Sequence, residues 1–212
     1  MKRIFWTDPY QTTLESQVVA VDGPRVTLDE TIFFAESGGQ ESDAGTIGGI
    51  PVRTAENRGE DILYTLAEAA PFTPGQRVET RVDWPRRYAL MRLHFAAEIA
   101  LELYYRAFPG LEKIGAHIGP AKARLDFLFD GTIAPTFPAI LADFDALVDA
   151  DPPIASTFSN EATRRRQWTI EGFARVPCGG THLRRAGEVG RVALKRKNIG
   201  GGKERVEITL LS

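Results

Sequence analysis

The 212-residue sequence predicts an α+β protein in two parts: a small N-terminal β-barrel over residues 1–85 and an α+β domain over residues 86–212, the latter built on one long helix and an antiparallel sheet. Three observations predict it. Short apolar runs broken by Gly and Pro fill the first 85 residues. Residues 87–108 then contain neither Gly nor Pro. Apolar stretches of strand length return towards the C-terminus.

Taken in order, residues 18–21 and 25–28 flank Asp22-Gly23-Pro24, a hairpin turn. Residues 31–34 read as a strand ended by the loop Glu36-Ser37-Gly38-Gly39-Gln40. Stretches at 45–52, 62–66 and 77–82 continue the pattern, and six short strands with Gly/Pro turns suit a small barrel. Pro85 suits a helix start, because a first-turn proline sacrifices no intrahelical bond. Leu90, Leu93, Ala97, Ala100, Leu101 and Tyr104 then recur at three-and-four spacing, the signature of a helix with an apolar face. A strand is expected around 124–129 and a helix over 137–149 with Ile140, Phe144 and Leu147 on one face. Strands at 190–194 and 205–210 close the chain.

Hydrophobic residues at 43% and charged residues at 25% argue against disorder. No apolar run reaches the ~18–20 residues of a membrane span, and Asp8-Pro9 interrupts any signal-peptide core. A single cysteine, Cys178, excludes an intramolecular disulfide and suits a reducing compartment. A cytoplasmic protein without a membrane partner is expected, and nothing in the sequence specifies an oligomer. The net charge of −2 hides an asymmetry: residues 163–212 hold 12 Lys+Arg against 4 Asp+Glu. A basic quarter on an acidic body suggests contact with a polyanion. Its densest part is Lys195-Arg196-Lys197, the Gly200-Gly201-Gly202 turn, Lys203 and Arg205, where glycines expose backbone N–H groups and the cations neutralise phosphates. Arg164-Arg165-Arg166, beside Trp168, has two readings: an addition to this phosphate contact, or solvated arginines at a helix terminus.

The sequence has three histidines, His94, His117 and His182. His94 and Glu98, four apart on the long helix, project from one face. Cys178 and His182 are also four apart, and Gly179-Gly180 between them lets a tight loop bring both side chains together. Thiolate and imidazole are good zinc ligands and a carboxylate is acceptable, so the two pairs point to a metal site.

Three stretches together resemble the free-standing alanyl-tRNA editing proteins, relatives of the editing domain of alanyl-tRNA synthetase. Cys178-Gly179-Gly180-Thr181-His182 matches that family's motif outright, with Gly187-Glu188-Val189-Gly190 following it. Asp83-Trp84-Pro85-Arg86-Arg87 and Met91-Arg92-Leu93-His94 look like the entry into its metal-binding helix. Phe33-Phe34-Ala35-Glu36-Ser37-Gly38-Gly39-Gln40 resembles the Gly-rich loop of its translation-protein-like barrel. Gly115-Ala116-His117-Ile118, Arg124-Leu125-Asp126-Phe127 and Gly200-Gly201-Gly202-Lys203 corroborate, so the resemblance covers nearly the whole chain. One departure stands out. The family helix carries His-Thr-x-x-His, whereas this chain has His94-Phe95-Ala96-Ala97-Glu98.

The resemblance implies a trans-editing hydrolase that cleaves the aminoacyl ester of mischarged tRNA, removing serine or glycine from alanine tRNA. It implies Zn²⁺ held by His94, Cys178 and His182. Three readings of Glu98 stand open: a fourth ligand; a general base acting on bound water beside three ligands; or a sign that the metal has been lost. Gly38, Gly39, Gln40 and His117 are the expected substrate contacts, with the ester-cleaving centre between the Gly-rich loop and the metal cluster. Lys195, Arg196, Lys197, Lys203 and Arg205 are the expected tRNA contacts. The alternatives are a non-catalytic tRNA-binding or regulatory module with a degenerate metal site, and an unrelated zinc hydrolase of small esters.

Overall fold

A computed structural model describes residues 1–211. The protein is α+β, with antiparallel sheets predominating and two α-helices, and it divides into two compact units, Met1–Tyr88 and Ala89–Ser212.

The N-terminal unit contains β1 (Lys2–Arg3), β2 (Thr13–Asp22), β3 (Arg25–Leu28), β4 (Glu30–Thr31), β5 (Gly45–Ile47), β6 (Ile50–Arg58), β7 (Asp61–Leu66) and β8 (Arg77–Val82). β1 and β4 form a short parallel pair. The other six pair antiparallel in the order β2-β3-β7-β6-β5-β8, and β8 returns to β2, so the pairings close into a ring. Alternate residues point inward, as period-2 geometry requires: Ile62, Tyr64 and Leu66 on β7, and Val78, Thr80 and Val82 on β8, are all buried. The stretch expected as one strand over 45–52 is a hairpin instead. Gly48 and Gly49 turn the chain at φ +56° and +82°, a left-handed pair that two-residue hairpin turns demand. A side chain at Gly48 is excluded twice over, since a Cβ there would lie 2.3 Å from the Phe72 ring. The expected strand at 31–34 is paired only at its first residue.

A buried guanidinium stabilises this unit. Arg87, with no exposed surface, donates from Nε to Asp43 Oδ1 at 2.7 Å, from Nη1 to the Pro9 carbonyl at 2.8 Å and from Nη2 to the Ile32 carbonyl at 2.5 Å, and Nη2 also meets Asp43 Oδ2. Asp43 Oδ2 in turn accepts the Phe34 amide at 2.6 Å. Every nitrogen of the planar fork thus meets an oxygen, which is the condition for burying such a pair.

The division between units falls inside α1 (Trp84–Ala107). Between Leu90 and Tyr104 this helix is buried on nearly all sides, not on one face. The rest of the C-terminal unit comprises β9 (Glu112–Ile118), β10 (Ala123–Leu128), α2 (Phe137–Ala150), β11 (Ala155–Asn160), β12 (Arg165–Ile170), β13 (Ala174–Pro177), β14 (Val192–Gly200) and β15 (Lys203–Leu210). One antiparallel sheet runs β14-β15-β10-β9 and a second runs β11-β12-β13. Leu125, Phe127, Val206 and Ile208 form the buried face of the first, on which the α1 residue Tyr104 packs, its ring 5.2 Å from that of Phe127. α2 buries Ile140, Phe144 and Val148 at four-residue steps, leaving Leu147 half-buried.

Removing one partner of a fully buried ion pair strands the other without water. Asp43→Ala is therefore expected to lower the unfolding free energy by about 3–5 kcal/mol, read from denaturant titration. A loss below ~1 kcal/mol, the size of a surface pair, would show that the pair carries no structural weight.

Candidate metal centre

The sequence brings two local pairs together across 84 residues of chain. His94 Nε2 lies 3.3 Å from Cys178 Sγ and 3.4 Å from Glu98 Oε1, one helical turn further along α1. The donor atoms of His94, Cys178 and His182 all lie within 4.8 Å of one another. Glu98 stands outside that group. His94 and His182 are buried and Cys178 is half-buried.

Gly180 makes the approach possible. A Cβ there would sit 2.3 Å from His94 Cε1, so the second glycine of the loop is required for space, whereas a side chain at Gly179 would meet nothing within 4 Å.

The three-stranded sheet holds the cluster from behind. Ser156 on β11 and Trp168 on β12 are cross-strand partners. Ser156 Oγ lies 2.9 Å from His182 Nδ1, and Trp168 Nε1 donates to Glu98 Oε2 at 3.1 Å. Phe95 packs edge-on against Trp168 at 5.1 Å and against His182 at 6.0 Å, which excludes water from the cluster. The next pair on the same face is Phe158 and Arg166, with the guanidinium 4.8 Å above the Phe158 ring. The Arg166 carbonyl accepts the Cys178 amide at 3.0 Å. Arg166 is thus a buried strand residue, not a solvated arginine at a helix terminus: β12 points Arg166, Trp168 and Ile170 inward and leaves Arg165 exposed.

The donor set fits a metal ion. Among the described residues His182 Nε2 is buried without a hydrogen-bond partner although its Nδ1 has one, and such orphans are rare in native interiors. Two imidazoles and one thiol suit zinc.

Electrostatics in the metal-free protein point the same way. Burial works against a charge on His94, but the negative charge and hydrogen bond of Cys178, and then Glu98, outweigh it and push His94 up to about 10. Burial pushes His182 down to about 3, helped by the charge on His94 and, to a lesser degree, by Arg166. Burial raises Glu98, yet the His94 bond and charge and the Trp168 bond hold its carboxyl below the usual range. A metal entering the cluster therefore displaces the His94 proton.

The other expected site residues lie elsewhere. In the N-terminal unit Ser37 and Gln40 exchange backbone hydrogen bonds at 3.2 and 3.0 Å around Gly38 and Gly39, both left-handed, and Gln40 is fully buried, not at a solvated loop tip. His117 pairs in register with Arg124, on the sheet face opposite Leu125 and Phe127, and is not brought together with His94, Cys178 and His182. The five expected tRNA contacts separate into two kinds. Lys195, Lys197 and Lys203 are exposed. Arg196 instead forks onto the buried Glu204, with 2.6 Å from Nη2 to Oε1, and Arg205 forks onto Asp126 at 2.7 and 3.0 Å. Ser156, Arg166 and the Glu98 contact of Trp168 were not anticipated; the one available signal was an aromatic beside an arginine run.

A buried thiol–imidazole cluster, with its donors divided between a helix and a Cys-Gly-Gly-Thr-His loop on an α+β frame, defines a protein with a candidate metal-binding centre. Over 214 residues the sequence is 30% identical to the alanyl-tRNA editing protein AlaX-M of Pyrococcus horikoshii, covering 99% of this chain and 97% of that protein. AlaX-M of Saccharolobus solfataricus is 28% identical over 235 residues, with 99% and 98% covered. The alanine–tRNA ligase of Methanococcus maripaludis is 28% identical over 225 residues, covering 96% of this chain but 25% of the ligase. No protein-family model matches the sequence. The chain belongs to the alanyl-tRNA editing proteins.

The two histidines give the metal-free protein opposite pH dependences. The folded pKa of His94 is raised, so its stabilisation is complete below ~6.5 and is lost as pH rises towards about 10. The folded pKa of His182 is depressed, so stability is lost as pH falls from ~6.5 towards about 3. Thermal midpoints of metal-free protein are expected to peak near neutrality, and His94→Ala to abolish the alkaline decline. A decline unchanged in that variant would sink the assignment. Gly180→Ala is expected to displace His94 and cut bound zinc per chain, measured by elemental analysis, well below that of the parent protein.

Proposed function

We propose that the protein is an aminoacyl-tRNA deacylase that acts in trans, hydrolysing the ester of serine or glycine mistakenly joined to alanine tRNA. The observation that carries this reading is the clustering of His94, Cys178 and His182 in a chain alike over its whole length to alanyl-tRNA editing proteins. The closed ring of six strands supports reading the N-terminal unit, residues 1–85, as a translation-protein-like barrel, with residues 86–212 as the editing domain. Among the described residues no helix is long and apolar enough to cross a membrane, and a tRNA substrate implies a cytoplasmic site of action.

His94, Cys178 and His182 would hold zinc, which when bound polarises an ester carbonyl or orients the charged end of the substrate. Glu98, held by Trp168 outside the three donors, is read as a proton acceptor and not as a fourth ligand. Trp168 fixes Oε2, and Oε1, which pairs with His94 Nε2 in the metal-free protein, would be released to take a proton from water attacking the ester once His94 gives its nitrogen to a metal. Gly38 and Gly39 are the proposed substrate contacts of the N-terminal unit, because two left-handed glycines let a ligand approach the backbone closely, and the buried Gln40 supports their loop through its backbone bonds to Ser37. Lys195, Lys197 and Lys203 are the proposed phosphate contacts. His117, expected as a substrate contact, shares its sheet face with Arg124 and Arg205, which supports reading it instead beside the phosphate contacts.

Two measurements test it. Zinc-loaded protein is expected to deacylate Ser- and Gly-charged alanine tRNA, spare the Ala-charged form, and lose activity with a chelator or with Cys178→Ala. Glu98→Gln is expected to lower kcat by roughly 10²–10⁴-fold while retaining zinc. No deacylation by zinc-loaded protein would favour a non-catalytic tRNA-binding module. For the interface, replacing Lys195, Lys197 and Lys203 by Ala is expected to weaken binding to different tRNAs alike and to flatten the salt dependence by up to ~1 unit of slope per contact. Arg196→Ala is expected instead to lower the melting temperature, because Glu204 is left buried without its fork. Unchanged affinity in the triple variant would move the interface elsewhere.

A further inference from the structure

The three-stranded sheet raises a question that the donor set alone does not. His182 has two ring nitrogens, and only a neutral ring with the proton on Nδ1 leaves a lone pair on Nε2. Its Nδ1 lies 2.9 Å from Ser156 Oγ, while Nε2 is buried without a partner and belongs to the cluster with His94 and Cys178. A hydroxyl either accepts from Nδ1–H or donates to a bare Nδ1. The second choice puts an N–H on Nε2, aimed into a cluster where it finds no acceptor. The first leaves the lone pair there.

We propose that Ser156 is a positioning residue that acts through His182: it accepts the Nδ1 proton, fixes the ring orientation, and so presents Nε2 as a donor atom. The inference rests on the metal-binding reading above. Ser156 is itself fixed by strand register, because it stands directly opposite the fully buried Trp168, which holds Glu98. One cross-strand pair on β11 and β12 thereby orients two of the four polar groups at the centre. Outer partners of this kind set ligand basicity and ring direction, and their loss typically weakens metal binding by 10–100-fold.

The test uses the full chain. In metal-free protein labelled with ¹⁵N at histidine, the His182 ring is expected to resonate as the Nδ1–H form; the Nε2–H form would overturn the proposal. Zinc affinity is then measured by competition with a chromophoric chelator. Ser156→Ala is expected to lower it by about 10–100-fold, with Ser156→Thr, which restores the hydroxyl, close to the parent. Equal affinities in parent and Ser156→Ala overturn the role of Ser156 while leaving the metal centre standing. A parent chain that takes up no zinc overturns both. Should Ser156→Ala fail to fold, the ring resonances of the parent still decide.

Discussion

Two imidazoles of the C-terminal unit, His94 and His182, are buried beside a half-buried thiol and carboxylate, and much of the surrounding structure follows from the cost of doing so. A buried polar group left unmatched costs about 1–3 kcal/mol, and a charge considerably more. His94 is answered by Cys178 and Glu98, Glu98 by Trp168, and His182 by Ser156 on one side only. The aromatic walls that impose the cost, Phe95 and Trp168, also lower the local dielectric, which strengthens each remaining contact. Trp168 serves both purposes with one side chain.

The N-terminal unit meets the same cost with a different group. Arg87 is more deeply buried than any histidine of the cluster, and its fork is matched by a carboxylate and two carbonyls. The difference is instructive. A guanidinium whose three nitrogens are all matched is finished as a structural element, whereas an imidazole with one nitrogen left over is prepared for something further. The same distinction separates the cations near the C-terminus, where arginines forked onto carboxylates build the sheet and lysines on the exposed face do not.

The long helix was legible because twenty-odd residues without Gly or Pro admit little else, but its burial on nearly all sides was not, since three-and-four spacing reports one face. The Gly48-Gly49 turn inside an expected strand was missed although paired glycines signal a two-residue hairpin. β11 and β12 were missed because their outward residues are Ser, Thr, Asn and Arg, and their inward residues include Ser156 and Arg166, so no clean apolar alternation marks them. The pairing of His94 with Glu98 and of Cys178 with His182 was legible from four-residue spacing. The contributions of Ser156 and Trp168 were not, because a residue that acts across a strand pair is visible only once the register is known. The sequence accounts for Gly180 as part of a tight turn between Cys178 and His182, whereas its requirement comes from the His94 ring beside it.

The centre is also a matter of timing. His94 and Cys178 are separated by 84 residues, which a ribosome working at about 5–20 residues per second takes roughly 4–17 s to add. Throughout that interval α1 carries a histidine and a glutamate whose partners have not yet been synthesised, on a helix that the finished protein buries almost completely. The N-terminal unit has all its strands by then and is able to fold ahead. The cluster is completed only when His182 has been added, so metal captured through the thiol meets a chain whose N-terminal unit and long helix are already made.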